Sequence, residues 1–189
     1  PSPPVSEALG RITTATDRMS TLVTDLLLLA RLDAGRPLAR EPVDLTRLVL
    51  DAVADARAAG PAHRWRLTLP EDLVTVPGDA ERLHQVLANL LTNARTHTPP
   101  GTTVATTLSP GPAVVEVTIR DDGPGIPADL QEDLFDRFTR GDASRTREHG
   151  STGLGLAIAH GIAAAHDGTL TVTSAPGQGA EFRLRLPAT

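Results

Sequence analysis

The chain of 189 residues contains no lysine; all 18 of its basic residues are arginine. It has no cysteine, no tyrosine and only two asparagines, Asn89 and Asn93. Each absence removes a chemistry. A Walker A loop sets a lysine on its phosphates, and the protein-kinase fold uses a strand lysine for the same task, so neither is available. Schiff-base catalysis is excluded with the lysine amine. Without cysteine there are no disulfides, thiolate metal sites or thiol nucleophiles. Any phosphate bound here must be met by backbone amides, arginine, histidine or a metal ion. Aromatics are 2% of the chain against 40% hydrophobic residues, so the core must be built from Leu, Val, Ile and Ala. The net charge of −5 argues against a nucleic-acid binder, which would carry a basic footprint. No apolar run reaches the ~18–20 residues of a membrane span, and no signal peptide opens the chain. It begins Pro1-Ser2-Pro3-Pro4 and is expected to be a fragment of something longer.

What is present falls into two parts. Ile12, Ala15, Met19, Leu22, Leu26 and Leu29 repeat with the 3-4 spacing of a helix seam, widened by Val23, Leu27 and Ala30. Such a helix needs a partner, either in a bundle or on its own domain; Gly35 and Pro37 end it. Residues 1–37 therefore read as one unit and 42–189 as another. In the second, Asp44 caps a helix to about Ala59, Arg64–Leu69 alternates as a strand, and Leu73–Val76 is a short strand. Asp79 caps a helix to about Thr96. Val104–Leu108 and Val114–Arg120 read as a hairpin, and Pro127–Phe138 as a short helix. Thr139–Ser151 reads as a polar, mobile loop, Leu154–His166 as a helix, and Leu170–Thr173 with Glu181–Leu186 as a final hairpin. The expected class is α+β: a two-layer sandwich, its mixed, largely antiparallel sheet covered by helices on one face.

Three sequence blocks point to chemistry. The two asparagines, in a composition of GC-rich type that thins this residue out, lie at i and i+4 on one helix face. An amide oxygen at Asn93 is a hard ligand of the kind Mg²⁺ takes alongside substrate phosphates; Asn89 can hold a coordinated water or a phosphate oxygen. Asp121-Asp122-Gly123-Pro124-Gly125-Ile126 follows a strand. A carboxylate there can accept an exocyclic purine amine, while the glycines let a base approach the backbone. Gly150-Ser151-Thr152-Gly153-Leu154-Gly155-Leu156 leads into a helix whose free amides and dipole favour phosphate oxygens.

In this order, and with Phe135-Asp136-Arg137-Phe138 between the second and third, these blocks resemble the N, G1, F and G2 boxes of the sensor histidine kinase ATP-binding domain, within the superfamily of gyrase, Hsp90 and MutL. Ser174 to Phe182 resembles its terminal glycine hairpin. Arg18-Met19 through Leu29-Ala30-Arg31-Leu32-Asp33-Ala34-Gly35 resembles the second helix of the dimerisation and phosphotransfer domain. The resemblance implies ATP and Mg²⁺ as cofactors, with Asn93 on the metal, Asn89 beside it, and Asp121 on the adenine amine. It places Gly123, Gly125 and Ile126 at the base pocket. Gly153, Leu154 and Gly155 fall at the phosphates, and Thr139–Thr152 is the lid. It implies a response regulator as partner, a homodimer in the full-length protein, no nucleic acid, and a membrane-anchored parent whose cytoplasmic part this is. Competing readings are an anti-sigma-factor serine kinase of the same superfamily and a degenerate docking or dimerisation module.

The departures from the family pattern matter as much. Its usual lysine after Asn-Ala-x is Thr96 here, so phosphate contact is expected from Arg95, His97 or a lid arginine such as Arg140. Ser151 stands at the first G2 glycine. The wider family's ATPases hold a water-activating glutamate where this chain has Asn89, which favours transfer to a side chain over hydrolysis. None of His63, His84, His97, His149, His160 and His166 has the context of the phosphoacceptor, so the helix bearing it is expected upstream.

Overall fold

The computed structural model describes residues 5–137 and 153–188. Helix α1 (Val5–Asp33) comes first, then β1 (Glu41–Asp44), α2 (Leu45–Ala59), β2 (Arg64–Thr68), β3 (Thr75–Gly78) and α3 (Ala80–His97). There follow β4 (Thr103–Ser109), β5 (Val114–Asp121), α4 (Ala128–Gln131), α5 (Gly155–Ala165), β6 (Thr169–Ser174) and β7 (Ala180–Pro187). The main sheet runs β2-β4-β5-β7-β6, with β2 parallel to β4 and the remaining neighbours antiparallel. Burial alternates along β4, β5 and β7, so one face takes Val104, Leu108, Val117, Ile119, Phe182 and Leu184 to the helices. Helix α3 lies between α2 and α5 over that face. This is the expected α+β sandwich.

Local chemistry sets the helix starts. Asp44 and Asp79 each accept the backbone N–H three residues on, Arg47 at 2.9 Å and Arg82 at 3.1 Å. The far end of α5 is tied by His166, a core histidine 1% exposed. Its Nε2 accepts from the Asp79 N–H at 3.0 Å and its Nδ1–H donates to Ile162 O at 2.8 Å.

Three expectations need correction. Strand β1, not anticipated, pairs antiparallel with β3, opposing Val43 to Val76 and Pro42 to Pro77. That pairing also moves the short strand from 73–76 to Thr75–Gly78. The short helix of 127–138 is cut to Ala128–Gln131, followed by turns, with Phe138 outside the described residues. Asp129, Glu132, Asp133 and Asp136 share one face at helical spacing, and their mutual repulsion opposes a longer helix.

Helix α1 divides along its length. Leu28 and Leu29 are buried, and Leu32 lies against Gly161 of α5, where an added Cβ would come within 3.2 Å of its Cδ1. Leu9, Ile12, Met19 and Val23 are each more than half exposed. Its C-terminal part, from Leu22 on, thus packs on the chain's own sandwich, and Leu9, Ile12 and Met19 before it have no cover within the described residues. Thr13, Thr14, Thr16, Thr21 and Thr24 bond back to carbonyls four residues earlier, which satisfies their hydroxyls on the helix itself.

Candidate functional site

Two helices and one strand end converge. Helix α3 turns Leu83, Val86, Leu87, Leu90 and Leu91 into the core, which brings Asn89 and Asn93 to a half-buried neighbouring face. The Asn89 amide Nδ2 donates to Gly155 O at 2.9 Å and so joins α3 to the first residue of α5. Asn93, one turn on, makes no side-chain hydrogen bond among the described residues. Leu154 is fully buried and anchors the start of α5 in the core. Gly153 has φ +70°, the left-handed region that favours glycine. At Gly155 a Cβ would meet Asn89 at an ordinary 3.6 Å, so packing does not require glycine there.

Asp121 ends β5 and is 6% exposed. Its Oδ1 accepts from Gly123 N at 2.9 Å and Ala180 N at 3.3 Å, which leaves Oδ2 as the free acceptor among the described residues. Burial pushes its carboxyl above the usual range; the two backbone donors oppose that rise and the Asp122 charge adds to it. Asp122 moves the other way. It is exposed, and the Thr103 N–H at 2.7 Å lowers its pKa. Of the two adjacent aspartates, Asp122 fastens β5 to β4, while Asp121 keeps Oδ2 without a partner among the described residues.

The loop after Asp121 is locked by the turn at 175–179. Gly125 has φ +75°, and a Cβ on it would lie 2.1 Å from Ala175 O; a Cβ on Gly179 (φ +75°) would lie 1.9 Å from Asp121 O. Ser174 Oγ accepts from Ile126 N at 2.8 Å and donates to Gly179 O at 2.6 Å, while Gln131 Nε2 donates to Ile126 O and Ser174 O. Gly125 thus has a structural duty that the sequence reading, which saw room for a base, did not include. Ser174, Ala180 and Gln131 were also missed as supports, although the glycine hairpin around the first two was recognised.

The expected phosphate contacts separate. The Arg95 stem packs at Gly60 and Trp65, and the residue lines a cavity of about 150 Å³ with α2, away from the asparagine face. His97 has an exposed surface, yet desolvation of its ring by the surrounding protein lowers its pKa. Arg140 and the 139–152 lid lie outside the described residues. Phe135 stacks on His160 of α5 with centroids 5.1 Å apart. Arg137 pairs with Asp33 at the end of α1.

Against this geometry, the model for the histidine kinase-, DNA gyrase B- and HSP90-like ATPases matches residues 78–189, more than half of the chain. The chain belongs to that family. Within these ATPases it is similar to the probable sensor histidine kinase TcrY of Mycobacterium tuberculosis, 59% identical over 183 residues, covering 97% of this chain and 38% of TcrY. It is 49% identical over 192 residues to the sensor histidine kinase TrcS of the same organism, covering 98% of this chain and 37% of TrcS. The chain thus spans less than two fifths of the length of these relatives. Among solved structures, the mycobacterial sensor histidine kinase MprB aligns with TM-score 0.70 and 31% identity, covering 78% of this chain and 98% of that one. Full-length ShkA, solved in complex with AMPPNP, aligns with TM-score 0.83 and 28% identity, covering 100% of this chain and 40% of that one. The match makes residues 78–189 a histidine kinase type of ATP-binding domain.

Proposed function

We propose that residues 42–189 bind Mg·ATP and deliver its γ-phosphoryl group to a histidine on another segment of the parent protein, for relay to a response-regulator aspartate. The observation that carries this reading is the pairing of a buried Asp121, its Oδ1 held by two backbone donors, with the Asn89–Gly155 bond that joins α3 to the start of α5. Asp121 Oδ2 accepts the adenine amine, and the backbone of Gly123 and Ile126 borders the base. The amides of Gly153 and Gly155 meet phosphate oxygens at the start of α5. Arginines of 139–152 close over the triphosphate in this reading.

Asn93 fits a magnesium site: it is a half-buried neutral oxygen donor whose side chain makes no hydrogen bond among the described residues. Asn93 would hold the ion by its amide oxygen, and Mg²⁺ would neutralise charge across the phosphates when bound. In the transfer the γ-phosphorus loses its bond to the ADP oxygen and gains one to the acceptor imidazole nitrogen. Asn89 cannot act as a base toward water, and its amide is engaged at Gly155, which favours transfer over hydrolysis. Residues 1–37 serve in this reading as a dimerisation helix of the parent, whose membrane anchor lies in other segments; no described helix is long and apolar enough to span a membrane.

Calorimetry with ATP in the presence and absence of Mg²⁺ tests the site. Asn93→Ala is expected to remove most of the Mg²⁺-dependent gain in affinity. Equal Mg·ATP affinity in variant and wild type would sink the metal assignment.

A further inference from the structure

The loop that carries Asp121 leans on a residue outside the recognised site set. Thr98 follows α3 with extended backbone, φ −121° and ψ 151°. Its hydroxyl donates to Ala94 O at 2.7 Å and lies 3.0 Å from His63 Nε2. A hydroxyl has one proton, and a carbonyl can only accept, so the second bond must run from His63 Nε2–H to Thr98 Oγ1. The opposite ring nitrogen, Nδ1, is buried with no hydrogen-bond partner among the described residues, while the ring leans on Trp65 at 6.0 Å between centroids. His63 is therefore held in place with one nitrogen unsatisfied, and its directional bond goes to Thr98.

Two bonds fix the Thr98 rotamer and so aim its methyl. Cγ2 stands 2.7 Å, and the Thr98 Cβ 3.1 Å, from the position a Cβ on Gly123 would take, with Asp121 Oδ1 at 2.8 Å from the same point. Gly123 is thus wedged between the Thr98 methyl and the Asp121 carboxylate, to which its own N–H donates. We propose that Thr98, oriented by His63, is a positioning residue for base recognition. Its methyl buttresses Gly123, keeps that N–H on Asp121 Oδ1, and so leaves Oδ2 turned toward the purine amine. This rests on the adenine-reading role of Asp121.

The test compares ATP with GTP affinity by calorimetry in wild type, Thr98→Ser, Asp121→Asn and the double variant, at a temperature where all are folded. Thr98→Ser keeps the hydroxyl and removes only the methyl. It is expected to lower the preference for ATP roughly three- to tenfold, within the range for coupled neighbours, and to add nothing once Asp121 is Asn. A wider loosening of the fold would weaken both nucleotides and leave their ratio intact. His63→Gln, which retains an N–H donor, should keep the wild-type ratio, whereas His63→Leu should share the serine defect. If Asp121→Asn lowers the ATP preference but Thr98→Ser does not, or if the two effects add, the buttress is overturned and the adenine reading stands. If Asp121→Asn leaves the ratio unchanged, the adenine reading fails and the buttress with it. If His63→Leu behaves as wild type, orientation by His63 is overturned.

Discussion

The two ends of the candidate nucleotide site are built differently. At the Asp121 end, two glycines with positive φ stand where any Cβ would strike a backbone oxygen, and Ser174, Gln131 and Ala180 add hydrogen bonds that interlock two loops. At the start of α5 there is, among the described residues, one side-chain bond, Asn89 to Gly155, and a glycine that packing against them does not require. The Asp121 end is set by contacts within the fold itself. At the start of α5 no such interlock of glycine against backbone is found among the described residues. Glycine carries different meanings at the two ends: close approach of protein to protein in one case, and ordinary contact with Asn89 in the other.

Gly179→Ala attacks the interlocked end and should have the largest effect. A left-handed residue with its Cβ 1.9 Å from Asp121 O must displace the loop, at a cost of about 3 kcal/mol or more in unfolding free energy. Urea denaturation would measure it; a variant with wild-type stability would show that the loop contact is dispensable.

Asp121→Asn separates function from folding at that same end. Loss of a hydrogen bond to a charged group costs about 1.5–3 kcal/mol, roughly ten- to a hundredfold in ATP affinity. Stability should move the other way. Burial raises the folded-state pKa of Asp121 above its unfolded value. The native protein then binds the proton more tightly, so stability gains as pH falls through the folded pKa, and at neutral pH the ionised group opposes folding. The ligand-free variant should therefore melt no lower than wild type at pH 7, with any advantage shrinking toward pH 4. A lower melting temperature at pH 7 would contradict the burial argument.

Gly155→Ala probes the other end and should be the mildest. Folding stability should stay within about 0.5 kcal/mol, because the added methyl finds ordinary contact distance. ATP affinity should drop by about 1 kcal/mol, roughly fivefold, while adenosine binds as before. If both ligands weaken together, the phosphates are not met at this helix start.

How much of this was readable beforehand depends on the range of the forces involved. Asp44 and Asp79 announce their helices because a cap is decided within three residues. The asparagine face follows from helical spacing alone. Arg95 shows the limit of that reasoning: two residues past Asn93 is about 200° around a helix, so nearness in sequence put it on the far side, against Gly60. β1 escaped notice because four residues with a proline carry no periodic signal, and its partner is distant in sequence. Gly125 and Gly179 were legible as glycines but not in purpose, since the oxygens they avoid belong to segments some fifty residues away. Thr98 sat unremarked beside the asparagine block because its methyl matters only through a neighbour brought up by the sheet.

Helix α1 has 29 residues, which at about 1.5 Å per residue makes a rod roughly 43 Å long. It bears on the sandwich along Leu22, Leu28, Leu29 and Leu32, a seat about 15 Å long, and an arm of about another 15 Å runs from Leu22 back to Ile12 with Met19 exposed on it. A seat of that length resists tilt at each of its contacts, so load on the exposed arm is shared among them and is not turned about a single point. Asp33, one residue past the seat, holds Arg137, the last described residue before the 138–152 segment.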